Sequence, residues 1–175
     1  MVLFKLLSAA ALVAATTSAQ DVTLSYMPLG DSITEAACWR AKLWHKFQST
    51  EWYKVNFVGS SRGDNNCKDN QYDKDSEGHS GFLAINIANA KQTDGWLKKN
   101  PADVVTIHLG TNDLAYNHPV ADIIKAYTSI LTSIRAANPK MKIIVSISFI
   151  SSCYSITYLG TLRITVLHGV RVSFY

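Results

Sequence analysis

From residue 21 onward, short β-rich apolar runs alternate with amphipathic stretches, the two periods that separate strands from helices. Residues 22–28 are β-rich and lead into Gly30, which reads as a strand closed by a tight turn. Residues 35–47 carry Ala36, Ala37, Leu43, Trp44 and Phe47 on one stripe and predict a helix. Val55-Asn56-Phe57-Val58 before Gly59 predicts a second strand, and the Asn/Asp-rich stretch 60–80 a loop. Leu83, Ile87, Ala90, Trp96 and Leu97 predict a helix over 83–97 that ends near Asn100-Pro101. Residues 103–109 form a nearly continuous apolar run, the pattern of a strand covered on both faces. Ile123, Ile124, Tyr127, Ile130, Leu131 and Ile134 predict a helix over 120–137, stopped by Asn138-Pro139, and 141–150 is again a buried-strand run. This order predicts an α/β protein with right-handed crossovers and a parallel sheet with helices on both sides. Residues 151–175 break the pattern, because they hold no acid, no proline and no helical period. Two runs there, 164–167 and 170–174, are strand-like where the layer scheme calls for another helix.

Residues 1–19 also stand apart. Lys5 precedes the apolar run 6–15 and then Thr17-Ser18-Ala19, the order of a secretory signal. The run is too short to cross a bilayer core of roughly 30 Å. The expected organisation is a signal peptide at 1–19, a single incomplete domain at 20–150 and an atypical tail at 151–175, with the mature chain extracellular. A length of 175 residues fits one domain, and 47% apolar residues exclude disorder as a description of the whole. The net charge of +4 is too small to imply nucleic acid, and neither a membrane nor a cofactor is expected as a partner. A monomer is expected. Export permits disulfides. Of Cys38, Cys67 and Cys153, the first two flank a polar loop whose closure removes roughly 3–4 kcal/mol of unfolded-state freedom. These two are expected to pair, leaving Cys153 over.

In an open parallel sheet, ligands bind beyond the carboxyl ends of the strands. Three polar clusters fall there: Gly30-Asp31-Ser32-Ile33-Thr34, Ser80-Gly81 and Gly110-Thr111-Asn112-Asp113. Gly30 permits a sharp turn that presents the Ser32 hydroxyl at a helix start, a candidate nucleophile. The Gly81 N–H and the Asn112 amide are candidate donors to a tetrahedral oxyanion. Thr34 stands where an α/β-hydrolase elbow would have its second glycine, so the turn is of another kind.

In this order the segments resemble the SGNH (GDSL-type) hydrolase superfamily, and within it the branch of secreted carbohydrate esterases that includes acetyl xylan esterases. The likeness runs from about Tyr26 to Ile150. It is carried by Met27-Pro28-Leu29-Gly30-Asp31-Ser32-Ile33-Thr34, Phe57-Val58-Gly59-Ser60, Glu77-Gly78-His79-Ser80-Gly81 and His108-Leu109-Gly110-Thr111-Asn112-Asp113. The resemblance implies a flavodoxin-like three-layer α/β/α sandwich. It implies Ser32 as nucleophile and an oxyanion hole from the N–H groups of Ser32 and Gly81 with the Asn112 side chain. Asp31 and Asp113 match motif positions and are implied to be supporting residues. The implied substrate is an acetylated polysaccharide or another small ester.

The pattern departs from the family near the C-terminus. Its members take their general base from an Asp-x-x-His segment, whereas here no acidic residue follows Asp122. The late His168 has no carboxylate near it in sequence, and His45, His79, His108 and His118 are each expected to be structural or surface residues. The chain is therefore expected to be truncated or alternatively ended, with its general-base histidine absent and its activity weak or nil. Alternative readings are a lysophospholipase- or lipase-like esterase, or a non-catalytic carbohydrate-binding remnant using Trp39, Trp52, Tyr53 and Tyr72. Trp44 and Trp96 are expected in the core. Asp73 to Gly78 resembles the opening of a calcium loop, yet Ala84 stands where the twelfth-position glutamate belongs, so a solvated loop and no metal are expected.

Overall fold

The structure, a computed structural model, describes residues 23–36, 38–51, 54–64, 67–148 and 161–166. Its elements follow in the order β1 (Leu24–Gly30), α1 (Ser32–Glu35), α2 (Trp39–Gln48), β2 (Val55–Phe57), β3 (Glu77–Gly78), α3 (Ala84–Asn89) and α4 (Gln92–Lys99). They continue with β4 (Val104–Leu109), α5 (Thr111–Ala115), α6 (Val120–Ala137), β5 (Lys142–Ser148) and β6 (Thr161–Val166). The strands form one sheet in the order β2-β1-β4-β5-β6, with β3 paired to the far end of β1. β1 to β5 pair in parallel and β6 runs antiparallel to β5. The fold is α/β, as expected. Of the strand-like run at 164–167, residues 164–166 belong to β6 at the β5 edge, whereas residue 167, the run at 170–174, Cys153 and His168 lie outside the described residues.

Alternation along the strands divides the core. Met27, Leu29, Val105, Ile107, Leu109, Ile143 and Val145 face α3, α4 and α6. On α6, Ile123, Tyr127, Ile130, Leu131 and Ile134 are buried at the predicted spacing. Full burial of such side chains stabilises by roughly 1.5–3 kcal/mol each. Tyr26, Val55 and Phe57 point the other way, where Leu43, Trp44 and Phe47 of α2 cover them. Helices thus lie on both faces, but α2 covers only the β1–β2 half of its side. Beside it, Ile33, Trp39, Thr106, His108 and Ile144 line an open cavity of about 620 Å³.

Two predicted helices are interrupted. The expected helix at 35–47 begins only at Trp39, because Ala36 is extended (φ −77°, ψ 161°) and Cys38 is tied to Cys67, Cα to Cα 5.2 Å. The expected pairing of Cys38 with Cys67 is present. The expected helix at 83–97 breaks at Lys91, which adopts φ 49°, ψ 37° and redirects the chain into α4. Nor is the stretch 60–80 a solvated loop. Arg40, fully buried, donates from Nη1 to Lys74 O at 2.6 Å and from Nη2 to Glu35 O at 3.1 Å and to Gly63 O. A buried guanidinium bonded to three carbonyls draws this stretch against α1 and buries Tyr72, Ser76 and Glu77. Tyr72 is therefore no exposed sugar platform, and Trp52 and Tyr53 lie outside the described residues.

Candidate active site

The parallel strands alone run in the order β2-β1-β4-β5, which places a topological switch point beyond the carboxyl ends of β1 and β4. Gly30 ends β1 where only hydrogen fits, since a Cβ there would strike Thr34 Oγ1 and His108 O. The turn is held by Asp31 N–H donating to His108 O at 3.4 Å. Asp31 is fully buried and caps α1, its Oδ1 accepting from Ile33 N–H at 2.9 Å. Burial raises the Asp31 pKa above its ordinary value, against the Ile33 hydrogen bond and the nearby His108. Ser32 follows as the first residue of α1. Its carbonyl accepts from Ala36 N–H at 2.6 Å, while its own N–H has no acceptor among the described residues.

The Ser80-Gly81 turn reaches the same sheet end through β3, paired with Leu29 and Gly30. His79 N–H donates to Gly30 O at 2.9 Å, so the turn is bonded to the residue that launches Ser32. Gly78 packs its backbone on Glu35, where a Cβ would come within 2.8 Å of Glu35 N. Gly81 has φ +79°, a conformation suited to glycine, and open space around the missing side chain. Its N–H also has no acceptor among the described residues. Behind it, buried Glu77 accepts from Ser60 N–H at 3.0 Å, from Ser60 Oγ at 2.5 Å and pairs with His79 Nε2 at 2.6 Å. The His79 ring stacks on Phe82 and Trp96, with centroids 4.7 and 5.0 Å away.

The third segment leaves β4 through Gly110, at φ +96°, into α5. Asn112 Nδ2 donates to Phe82 O at 2.9 Å, next to Gly81, and this uses one of its two amide hydrogens. Buried Asp113 accepts from Ala84 N–H at 2.9 Å and Ile85 N–H at 3.1 Å, capping α3. Hydrogen bonds thus join the segments of Ser32, Gly81 and Asn112 at one sheet end, with Asp31 and Asp113 bracing two of them. Sequence reasoning missed Glu35, whose carboxylate holds Ser80, and Arg40, although Arg40 shares a helical stripe with Leu43, Trp44 and Phe47.

Two histidine rings are held by carboxylates. His45 Nε2 lies 2.8 Å from Asp69 Oδ2 at the surface and His79 is bonded to Glu77, whereas His118 is tied by its backbone N–H to Asp113 O. His108 faces the open cavity beside Asp31. The carboxylates of the calcium-like stretch are engaged as well. Asp73 accepts from the N–H groups of Phe57 and Asp75, and Asp75 pairs with Arg62. Among the described residues, no group of three or more His, Cys, Asp or Glu side chains is placed to hold a metal.

A doubly wound α/β sheet with a capped serine turn at its switch point sets a hydroxyl where this class of fold binds its ligands. Residues 29–168 match the model of the GDSL-like lipase/acylhydrolase family, and the chain belongs to that family. It is similar to a solved carbohydrate esterase of family 3 from Talaromyces cellulolyticus, 42% identical with TM-score 0.66, over 70% of this chain and 60% of that one. A serine-to-alanine mutant of an acetyl esterase, solved with acetate ion, is 41% identical with TM-score 0.66 over the same shares. A multidomain esterase of Ruminococcus flavefaciens is 28% identical over 116 residues, covering 55% of this chain and 15% of that protein. The chain therefore spans 60% of the length of these solved relatives. Among the described residues, no helix is long and apolar enough to cross a membrane.

Proposed function

We propose that this chain is a secreted, monomeric serine ester hydrolase acting on O-acetyl groups of a plant-type polysaccharide such as acetyl xylan. Ser32 Oγ attacks the acetyl carbonyl carbon as its proton passes to solvent water, from which the leaving sugar oxygen later takes one, and the carbonyl electron pair moves to oxygen. The oxyanion accepts hydrogen bonds from the N–H groups of Ser32 and Gly81 and from Asn112 Nδ2. Collapse expels the sugar oxygen, which takes up a proton, and water hydrolyses the acetyl-serine to acetate. One observation carries this reading: two backbone N–H groups and an amide hydrogen stand unengaged on three segments that are hydrogen-bonded to one another at a single sheet end. The likeness to an acetyl esterase solved with acetate supports an acetyl donor.

These 175 residues hold no Asp-x-x-His segment. Taken as they stand they offer the Ser32 proton no such base, and since loss of a triad base leaves roughly 10³–10⁴ over water in the best-studied case, low turnover is expected of them. The test is hydrolysis of an activated acetyl ester together with covalent labelling by a fluorophosphonate. Slow hydrolysis and slow labelling at Ser32, both absent from Ser32→Ala, are expected. Equal labelling of wild type and Ser32→Ala, or none of either, would overturn the assignment. Faster turnover on long-chain than on acetyl esters would favour a lipase-like specificity instead.

A further inference from the structure

Glu35 closes α1 three residues after Ser32, one helical turn along the chain from the proposed nucleophile. Oε2 accepts from Ser80 N–H at 2.8 Å and from the Ser80 hydroxyl. Its chain is confined, because a Cβ on Gly63 would meet Glu35 Cγ at 2.8 Å. Its backbone carbonyl is held by Arg40 Nη2 at 3.1 Å. Half-buried, this carboxylate makes no ion pair among the described residues and serves a backbone N–H and a hydroxyl. Gly81, by contrast, packs against nothing at its missing side chain, so its neighbours must hold the orientation of its N–H. On the Phe82 side the anchor is Asn112, and on the Ser80 side it is Glu35.

We propose that Glu35 is a positioning residue: by clamping Ser80 it keeps the Gly81 N–H aimed at the oxygen of the carbonyl whose carbon Ser32 attacks. The inference rests on the reading of Ser32 and Gly81 given above. Preorganised donors act only within a few tenths of an ångström of the right place, and a shift of about 1 Å can cost 10²-fold. Losing the clamp slows acylation without weakening substrate binding, because the donor acts most strongly on charge developed in the transition state.

The experiment compares wild type, Glu35→Ala, Glu35→Gln, Glu35→Asp and Ser80→Ala as full chains. It measures the second-order rate of fluorophosphonate labelling at Ser32, kcat and KM on an activated acetyl ester, and the melting temperature. Labelling and kcat are expected to fall about 10- to 100-fold in Glu35→Ala and by less in Ser80→Ala, which keeps the Ser80 N–H bond to Glu35 Oε2, with KM within about twofold of wild type. Glu35→Gln, which keeps an acceptor oxygen at the same reach, is expected to stay within about threefold. If Glu35→Ala does not fold, Glu35→Asp decides, since it keeps the charge while drawing the carboxylate one methylene back from the Ser80 N–H. Wild-type labelling rates in the folded variants, or a change confined to melting temperature, would overturn the proposal while leaving the Ser32 assignment intact. A wild-type chain that is not labelled at all would remove both.

Discussion

Replacing Arg40 with methionine removes a cation from the interior while retaining most of the side-chain volume. The guanidinium is fully buried and donates to the carbonyls of Lys74, Glu35 and Gly63. Its burial lowers its pKa, opposed by Tyr72, Asp64 and Glu35 nearby. In many buried ion pairs a hydrophobic replacement is neutral, because both charges can be exchanged for apolar groups. Here the acceptors are backbone and stay behind. An unsatisfied buried carbonyl costs about 1–3 kcal/mol. Lys74, Glu35 and Gly63 are only half-buried, so water recovers part of each loss and the lower bound applies. Three carbonyls at about 1 kcal/mol each give a loss of about 3 kcal/mol, a fall in melting temperature of roughly 6–12 °C for a chain this size. Urea unfolding followed by far-UV circular dichroism measures it. Arg40→Lys is expected to recover less than half, since one ammonium cannot fork to carbonyls on three segments. A loss below about 1 kcal/mol in Arg40→Met, with unchanged slope, would refute the idea that the guanidinium holds the 60–78 stretch to α1.

Replacing Cys38 and Cys67 together by serine opens a link between positions 29 residues apart and should lower stability by about 3–4 kcal/mol, read from the same urea midpoints. Asp31 has a folded-state pKa above its unfolded value because it is buried, so its ionisation opposes folding, and this penalty grows as pH rises from about 4 through the raised value. Asp31→Asn keeps an oxygen for Ile33 N–H and removes the charge. Its melting temperature should exceed that of wild type most at pH 7 and converge on it toward pH 4, and a gap that widened on acidification would contradict this account.

How far the chain could be read without coordinates depended on the reach of each determinant. α6 runs over Val120–Ala137 as its apolar spacing predicts, and β1 and β4 lie within about two residues of their predicted limits, because side-chain period is set by neighbours one turn or one pleat away. The breaks after Glu35 and at Lys91 were not legible, since the apolar stripe continues through both. The first is associated with a disulfide and a buried guanidinium, and the second with a left-handed residue that lets α3 and α4 both pack on α6. β6 reached the sheet as an antiparallel edge, a pairing that strand-like composition alone cannot orient.

The same division holds at the site. Ser32, Gly81 and Asn112 stood out in sequence because each sits in a short polar motif at the end of a strand or the start of a helix. Asp31 and Asp113 were marked only as companions in those motifs, and coordinates made them caps of α1 and α3. That Asn112 holds Phe82, 30 positions away, and that Glu35 holds Ser80, 45 positions away, was decided by the tertiary structure alone. Local order is written in residues a few places apart, whereas a hydrogen bond between distant segments exists only once the sheet has closed the chain between them.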